Sequence, residues 1–191
     1  MASTVCIFFL LMSLFSLSLC RSNPPAAGTG SSGSATPGLV QKTCNETTYY
    51  DFCVNSLRSD PQSPKAVDVK GLSAIAINLA ISNATNTSAF AASLAQAAPA
   101  AADASLGAAL RSCAKKYADA RQALQWSLDA LAAESYDYAF VHASAAAEYP
   151  NVCRVLFRRT PRLTYPPEMA RREQDLEHLC TIALEIISLL G

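Results

Sequence analysis

Cysteine and histidine are the residues of this chain best suited to chemistry, and their spacing argues against most of it. Five cysteines lie in the main body, Cys44, Cys53, Cys113, Cys153 and Cys180, with Cys6 and Cys20 upstream. No two form the Cys-x-x-Cys pair of a zinc site or a dithiol redox centre. The only histidines are His142 and His178, so bases are scarce. His178 is two residues from Cys180, which sets the two side chains on different faces of a helix. Cys113 and His142 could lie near one another in a helical bundle, but Cys113 is better used in a structural bridge. No phosphate loop or nucleophile elbow occurs. The residues thus point to no catalytic centre, no metal site and no cofactor. Five is odd, so two bridges and one leftover thiol is the simplest arithmetic. Cys180 sits among apolar residues and reads as a small buried hydrophobe.

Disulfides need an oxidising compartment, and the N-terminus supplies the address. Val5 to Leu19 is an uncharged apolar run of about fifteen residues, short of the about 20 that a membrane span needs. Residues 1–22 read as a signal peptide, with small residues Ser18, Cys20 and Ser22 offering cleavage. Residues 23–38 are rich in Pro, Gly, Ser and Ala and read as a disordered lead-in. Residues 39–191 form the domain. In a secreted chain the sequons at Asn45, Asn83 and Asn86 become candidate glycosylation sites.

The elements that hold these residues are helical. The chain carries 15 basic and 15 acidic side chains, which leaves no net charge for nucleic acid to read. With only 7 Gly and abundant alanine, it suits helices better than tight turns. The clearest period runs from Asp103 to Glu134. Leu106, Leu110, Cys113, Tyr117, Ala120, Leu124, Leu128 and Leu131 recur by threes and fours on one face. Arg111, Lys115, Lys116, Asp119, Gln122 and Asp129 fall opposite, and Asp103 is placed as an N-cap after the linker at Pro99.

Val67 to Gln96 also reads as helix, although Ile75, Ile77, Leu79 and Ile81 alternate like a strand. Its apparent stripe, Leu72, Ala76 and Leu79, runs on into Asn83, Asn86 and Phe90. Either the helix breaks near Asn83, or the sequons there are unused or turned outward. Tyr136 to Arg158 carries Phe140, Ala143, Ala147, Val152, Val155 and Leu156, with Pro150 predicting a kink or restart. Glu168 to Leu190 closes the set with Leu176, Leu179, Cys180, Ala183, Ile187 and Leu190. The result is an all-α, up-down-up-down four-helix bundle. Shorter elements precede it, around Cys44 and Cys53 between Leu39 and Pro64.

Several motifs now become recognisable. Cys44-Asn-Glu-Thr-Thr-Tyr-Tyr-Asp-Phe-Cys53 with Leu57 and Asp60-Pro61, and Lys70-Gly71-Leu72 at the next helix, resemble the opening of the plant invertase and pectin methylesterase inhibitor family. Leu110-Arg-Ser-Cys113 with Tyr117 resembles its third-cysteine motif. His142-Ala-Ser-Ala-Ala146 with Cys153 and Phe157 resembles its fourth, and Leu176 to Leu190 its closing helix with an unpaired cysteine. The resemblance covers about residues 40 to 190. It implies a bundle preceded by a helical hairpin, with bridges Cys44–Cys53 and Cys113–Cys153 and Cys180 free. It also implies a secreted one-to-one protein inhibitor of the apoplast or vacuole. Such an inhibitor has no small-molecule cofactor, binds no nucleic acid and keeps no membrane contact after signal removal.

Invertase inhibitors of this type often carry Pro-Lys-Phe at the start of the third bundle helix. Here the stretch is Glu134-Ser-Tyr136-Asp137-Tyr138-Ala-Phe140, so the motif is absent. The Asp-Tyr pattern resembles the pectin methylesterase side, which is the favoured target, with acid invertase as the alternative. Expected contact residues are Lys116, Asp119, Gln122, Tyr136, Asp137 and Tyr138, with the two tyrosines as anchors. Taken singly, each reads better as a solvated residue or a tyrosine lid over the core than as a contact. Arg154, Arg158, Arg159, Arg162, Arg171 and Arg172 make a local basic excess near the last loop, suited to a solvated loop or to weak retention on anionic pectin.

Overall fold

A computed structural model describes residues 38–98 and 104–191. The expected signal peptide and lead-in, and the Asp103 cap beside Pro99, lie outside the described residues. Six α-helices follow in order: α1 (Leu39–Cys44), α2 (Tyr50–Ser59), α3 (Val69–Ala97), α4 (Ala104–Ala132), α5 (Tyr136–Arg159) and α6 (Pro167–Ile187). A single 3-10 turn, Ser63–Lys65, joins α2 to α3, and no strand occurs among the described residues. The Asp68 carboxylate starts α3 by accepting from the Gly71 N–H at 2.7 Å, which satisfies one orphan donor of the first turn. The long helices α3 to α6 pack each against its neighbours in sequence, and α6 closes the ring onto α3. Short connections force adjacent helices to run antiparallel.

Both expected bridges form. Cys44–Cys53 closes the α1–α2 hairpin, and Cys113–Cys153 joins α4 to α5 with Cα atoms 4.9 Å apart. With partners 9 and 40 positions apart in sequence, loop entropy gives about 2.5 and about 4 kcal/mol. The hairpin is also held to the bundle by side chains. Thr48 gives its backbone N–H and its hydroxyl to the Glu185 carboxylate on α6. Tyr49 and Phe52 pack against the His178 ring at 4.1 and 5.2 Å.

The core departs from the sequence reading in its phase. On α5 the buried residues are Ala139, Ala143, Ala146, Pro150, Cys153 and Phe157, whereas Phe140 and Val152 are exposed. On α3 the buried face runs through Leu72, Ala76, Ala80, Ala84, Thr87, Ala91 and Ala95 rather than through Leu79, Asn83 and Phe90. Alanine, not the bulkiest apolar side chain, supplies most of the buried face of α5 and of the second half of α3, where close helix packing favours small residues; Phe157 near the end of α5 and Ile75 and Ile77 early in α3 are the large side chains buried with them. Ser127 and Ser88 exploit the same closeness, donating 2.7 Å hydrogen bonds to the carbonyls of Ala139 and Ala114 on the neighbouring helices.

Of the two alternatives at Asn83, the unbroken helix is the one found, and the restart expected at Pro150 does not occur, since α5 runs through it. Pro150 is buried three residues before the bridged Cys153, and packing along the α4–α5 seam carries the helix past the missing hydrogen bond.

Cys180 is free, fully buried, and its thiol is pushed up to about 12 by burial. Thiolate is the reactive form. Native protein at neutral pH should therefore leave a disulfide-exchange probe unreacted, while residues 39–191 unfolded without reductant should titrate one thiol. A titration of three or more thiols would show that a bridge is missing.

Candidate functional site

His142 and His178 are both occupied by aromatic neighbours, Trp126 at 5.6 Å and the Tyr49–Phe52 pair. His142 lies eleven residues, about 16 Å, along α5 from Cys153, so it does not meet the bridge to Cys113. Among the described residues no three His, Cys, Asp or Glu side chains converge as a metal site. The candidate site is therefore a surface.

That surface is the outer side of the α4–α5 seam. Helical spacing puts Tyr138, Val141, Ala145, Tyr149 and Val152 in one line along α5. Tyr138 is 68% exposed, Val141 59% and Val152 42%, and Trp126 on α4 adds an indole that is 50% exposed. The line from Tyr138 to Val152 is about 21 Å long. A soluble surface seldom shows so many large apolar side chains in register without a partner.

The six expected contact residues do not form one cluster. Asp137 and Tyr138 are exposed at the first turn of α5. Tyr136 is not; it is half-buried, and its ring lies under the chain end at Gly191. Lys116, Asp119 and Gln122 are half-buried rather than freely solvated. Lys116 and Asp119 pair at 3.0 Å, and the Lys116 ammonium lies 5.4 Å from the Tyr149 ring centre. Lys116, with Lys115 beside it, holds the Asp119 carboxyl below its usual pKa. Trp126, Val141 and Val152 were missed by the sequence reading. For Val141 and Val152 the signal was a second period on α5, offset from the alanine face, which could have been read as an exterior stripe.

The turn before α5 is braced. Glu134 adopts a left-handed backbone, with φ of 60°, and its carboxylate pairs with Lys70 of α3 at 3.0 Å. The far end of the bundle is fixed by a buried polar cluster. Glu173 on α6 is only 5% exposed, accepts from the Tyr165 hydroxyl at 2.8 Å, and lies 3.1 Å from Arg154 Nε. Tyr117, four residues after the bridged Cys113, is fully buried beside this cluster, and its hydroxyl finds no hydrogen-bond partner there. Burial raises the Tyr117 and Tyr165 hydroxyls well above the usual phenol value. Burial also raises the Glu173 carboxyl, against the pull of Tyr165 and Arg154 and with the repulsion of Glu177.

The family model described as plant invertase/pectin methylesterase inhibitor matches residues 38–186. The chain is 45% identical to pectinesterase inhibitor 28 of Oryza sativa subsp. japonica, over 89% of this chain and 77% of that protein. It is 42% identical to the cell wall/vacuolar inhibitor of fructosidase 2 of Arabidopsis thaliana, over 84% of this chain and 87% of that protein. In fold it is similar to a crystal structure of a mutant form of a pectin methylesterase inhibitor from Arabidopsis. That match has a TM-score of 0.67 and 21% identity, covering 81% of this chain and 99% of that one.

The cluster around Glu173 yields a pH test. Folded Glu173 holds its proton more tightly than the unfolded chain does, so its contribution grows as pH falls through the raised pKa and is lost as pH rises. Asp119 and Glu168, both lowered by basic neighbours, act in the opposite sense and only at lower pH. Relative to Glu173→Gln, the wild type should thus gain urea stability on going from about pH 7 to about pH 5. Parallel profiles for the two proteins would remove Glu173 from the account.

Proposed function

Because the chain belongs to the plant invertase/pectin methylesterase inhibitor family, we propose that it blocks a pectin methylesterase by laying the α4–α5 face across the enzyme's substrate groove. The observation that carries this reading is the unpartnered line of Tyr138, Val141 and Val152 beside Trp126 on a bridged, immobile scaffold. Aromatic residues of this kind are the usual energetic centre of a protein interface. The first turn of α5 leads the contact: Asp137 and Tyr138 project from it, while Tyr136 positions the turn by packing on the chain end. An interface of ordinary size, about 1,600 Å² in total, accommodates this face together with the rim residues Lys116, Asp119 and Gln122. Little flexibility is lost on binding, because both ends of the seam are already fixed. The protein does no chemistry of its own; it excludes the pectin chain as a one-to-one complex.

The preference for the esterase rests on the absence of Pro-Lys-Phe from Glu134 to Phe140. Acid invertase is the second reading, favoured by the 42% identity to the fructosidase inhibitor. We further propose that the protein enters the secretory route and acts in the cell wall, with the vacuole as the alternative, on the strength of its apolar N-terminus and its two bridges. Asn45 and Asn86 are exposed and suit glycans, whereas Asn83 is half-buried and accepts from Thr87. Asn86 lies about 200° around α3 from Ser88, which reaches α4, so a glycan there leaves the α4–α5 face open.

Parallel inhibition assays against a plant pectin methylesterase and an acid invertase test the reading. Inhibition of the esterase is expected, and Tyr138→Ala should raise its inhibition constant at least tenfold, about 1.4 kcal/mol or more, with an unchanged thermal midpoint. Tyr136→Ala should lower the thermal midpoint as well. Full activity of both enzymes in the presence of the protein would end the proposal, and inhibition of invertase alone would transfer it to the second target.

A further inference from the structure

The arginines at the end of α5 are sorted into two kinds by their partners. Arg154 is paired with Glu173, Arg171 with Glu168 and Asp175, and Arg172 with Glu168 while lying over the Phe90 ring. Arg158, Arg159 and Arg162 are exposed, and none has an ion-pair partner among the described residues. From Tyr149 to Pro167 the chain contains no acidic residue at all. Three guanidinium groups within five positions repel one another, and no ion pair among the described residues relieves that repulsion. The partial negative charge at the α5 C-terminus offsets some of that repulsion at Arg158 and Arg159.

The corner that carries them is rigid. Arg162 adopts a left-handed backbone, with φ of 70°, in a turn where the Leu163 N–H donates to the Thr160 carbonyl. Leu163 is half-buried, and Tyr165 is fixed by its hydrogen bond to Glu173 and its packing on Phe157 at 5.1 Å. The backbone that carries the three arginines is therefore set before any ligand arrives, while their unpaired side chains stay free to reach it.

We infer that Arg158, Arg159 and Arg162 form a docking site for a polyuronate, the de-esterified and carboxylate-bearing form of pectin. Guanidinium forks match carboxylates in bidentate geometry, and a polyuronate offers one carboxylate per sugar. The choice of this polyanion rests on the proposed function, since an esterase acting on pectin leaves free carboxylates behind. Arg158 lies twenty residues, about 30 Å, along α5 from Tyr138. Product strand and enzyme can thus be held at opposite ends of one helix, keeping the inhibitor where de-esterification has already occurred.

Co-sedimentation of the whole protein with polygalacturonate, and separately with highly methyl-esterified pectin, tests the site. Binding to polygalacturonate at low ionic strength is expected, with release by salt and no binding to the esterified polymer. The triple variant R158Q/R159Q/R162Q should lose at least tenfold in that affinity. Its thermal midpoint, and its inhibition constant against the esterase on a short, fully esterified oligomer, should be unchanged. No binding by the wild type, undiminished binding by the variant, or equal binding to anionic phospholipid vesicles or to nucleic acid would overturn the inference. Arginine-dependent polygalacturonate binding by a protein that inhibits neither enzyme would support the site while refuting the inhibitor reading.

Discussion

The close approach of α4 and α5 is the constraint on which the rest of the molecule depends. A buried bridge draws Cys113 and Cys153 together with Cα atoms 4.9 Å apart. Away from the bridge the buried face of α5 is mostly small, with Ala139, Ala143 and Ala146, and Ser127 can reach across to a carbonyl. Burial of small side chains contributes little apolar area each, so the covalent tie and the tight van der Waals fit substitute for bulk. Outside that face, large apolar residues of α5 line up on the exterior as Tyr138, Val141 and Val152. An inhibitor needs such a surface, held still.

The ends of the seam are fixed by different physics. At the α5 N-terminus a left-handed Glu134, its ion pair with Lys70 and the lid of Tyr136 over Gly191 set the first turn. At the other end a buried carboxylate, Glu173, gathers Tyr165 from the loop and Arg154 from α5. Burying a charge is costly unless it is paired, and the cluster stabilises by geometry more than by net energy. The hairpin adds a third brace through Thr48, Glu185 and the aromatic clasp on His178. Histidine here is a packing element.

Much of this was legible in the chain. Helix limits, the all-helical class and the long α4 face came through because period and alanine content agree over many turns. The bridges were legible only by resemblance, since spacing alone does not select a pairing. Phase was misread on α3 and α5 for one reason. Hydrophobicity ranks Phe140, Val152, Leu79 and Phe90 above alanine, whereas a close-packed seam ranks by size. Pro150 misled in a related way, because a local penalty near 3 kcal/mol is outweighed by tertiary packing that no local window contains. The contact face was half legible: Asp137 and Tyr138 stood out by position, while Trp126 and Val141 became meaningful only through their exposure in the fold.

Hydroxyl-radical footprinting of the protein alone and in complex with pectin methylesterase tests the central claim most directly. The account predicts that oxidation of Trp126 and Tyr138 falls sharply in the complex, while Tyr50, exposed on the hairpin, continues to react. Undiminished oxidation of Trp126 and Tyr138 in a saturated complex, with Tyr50 shielded instead, would contradict it.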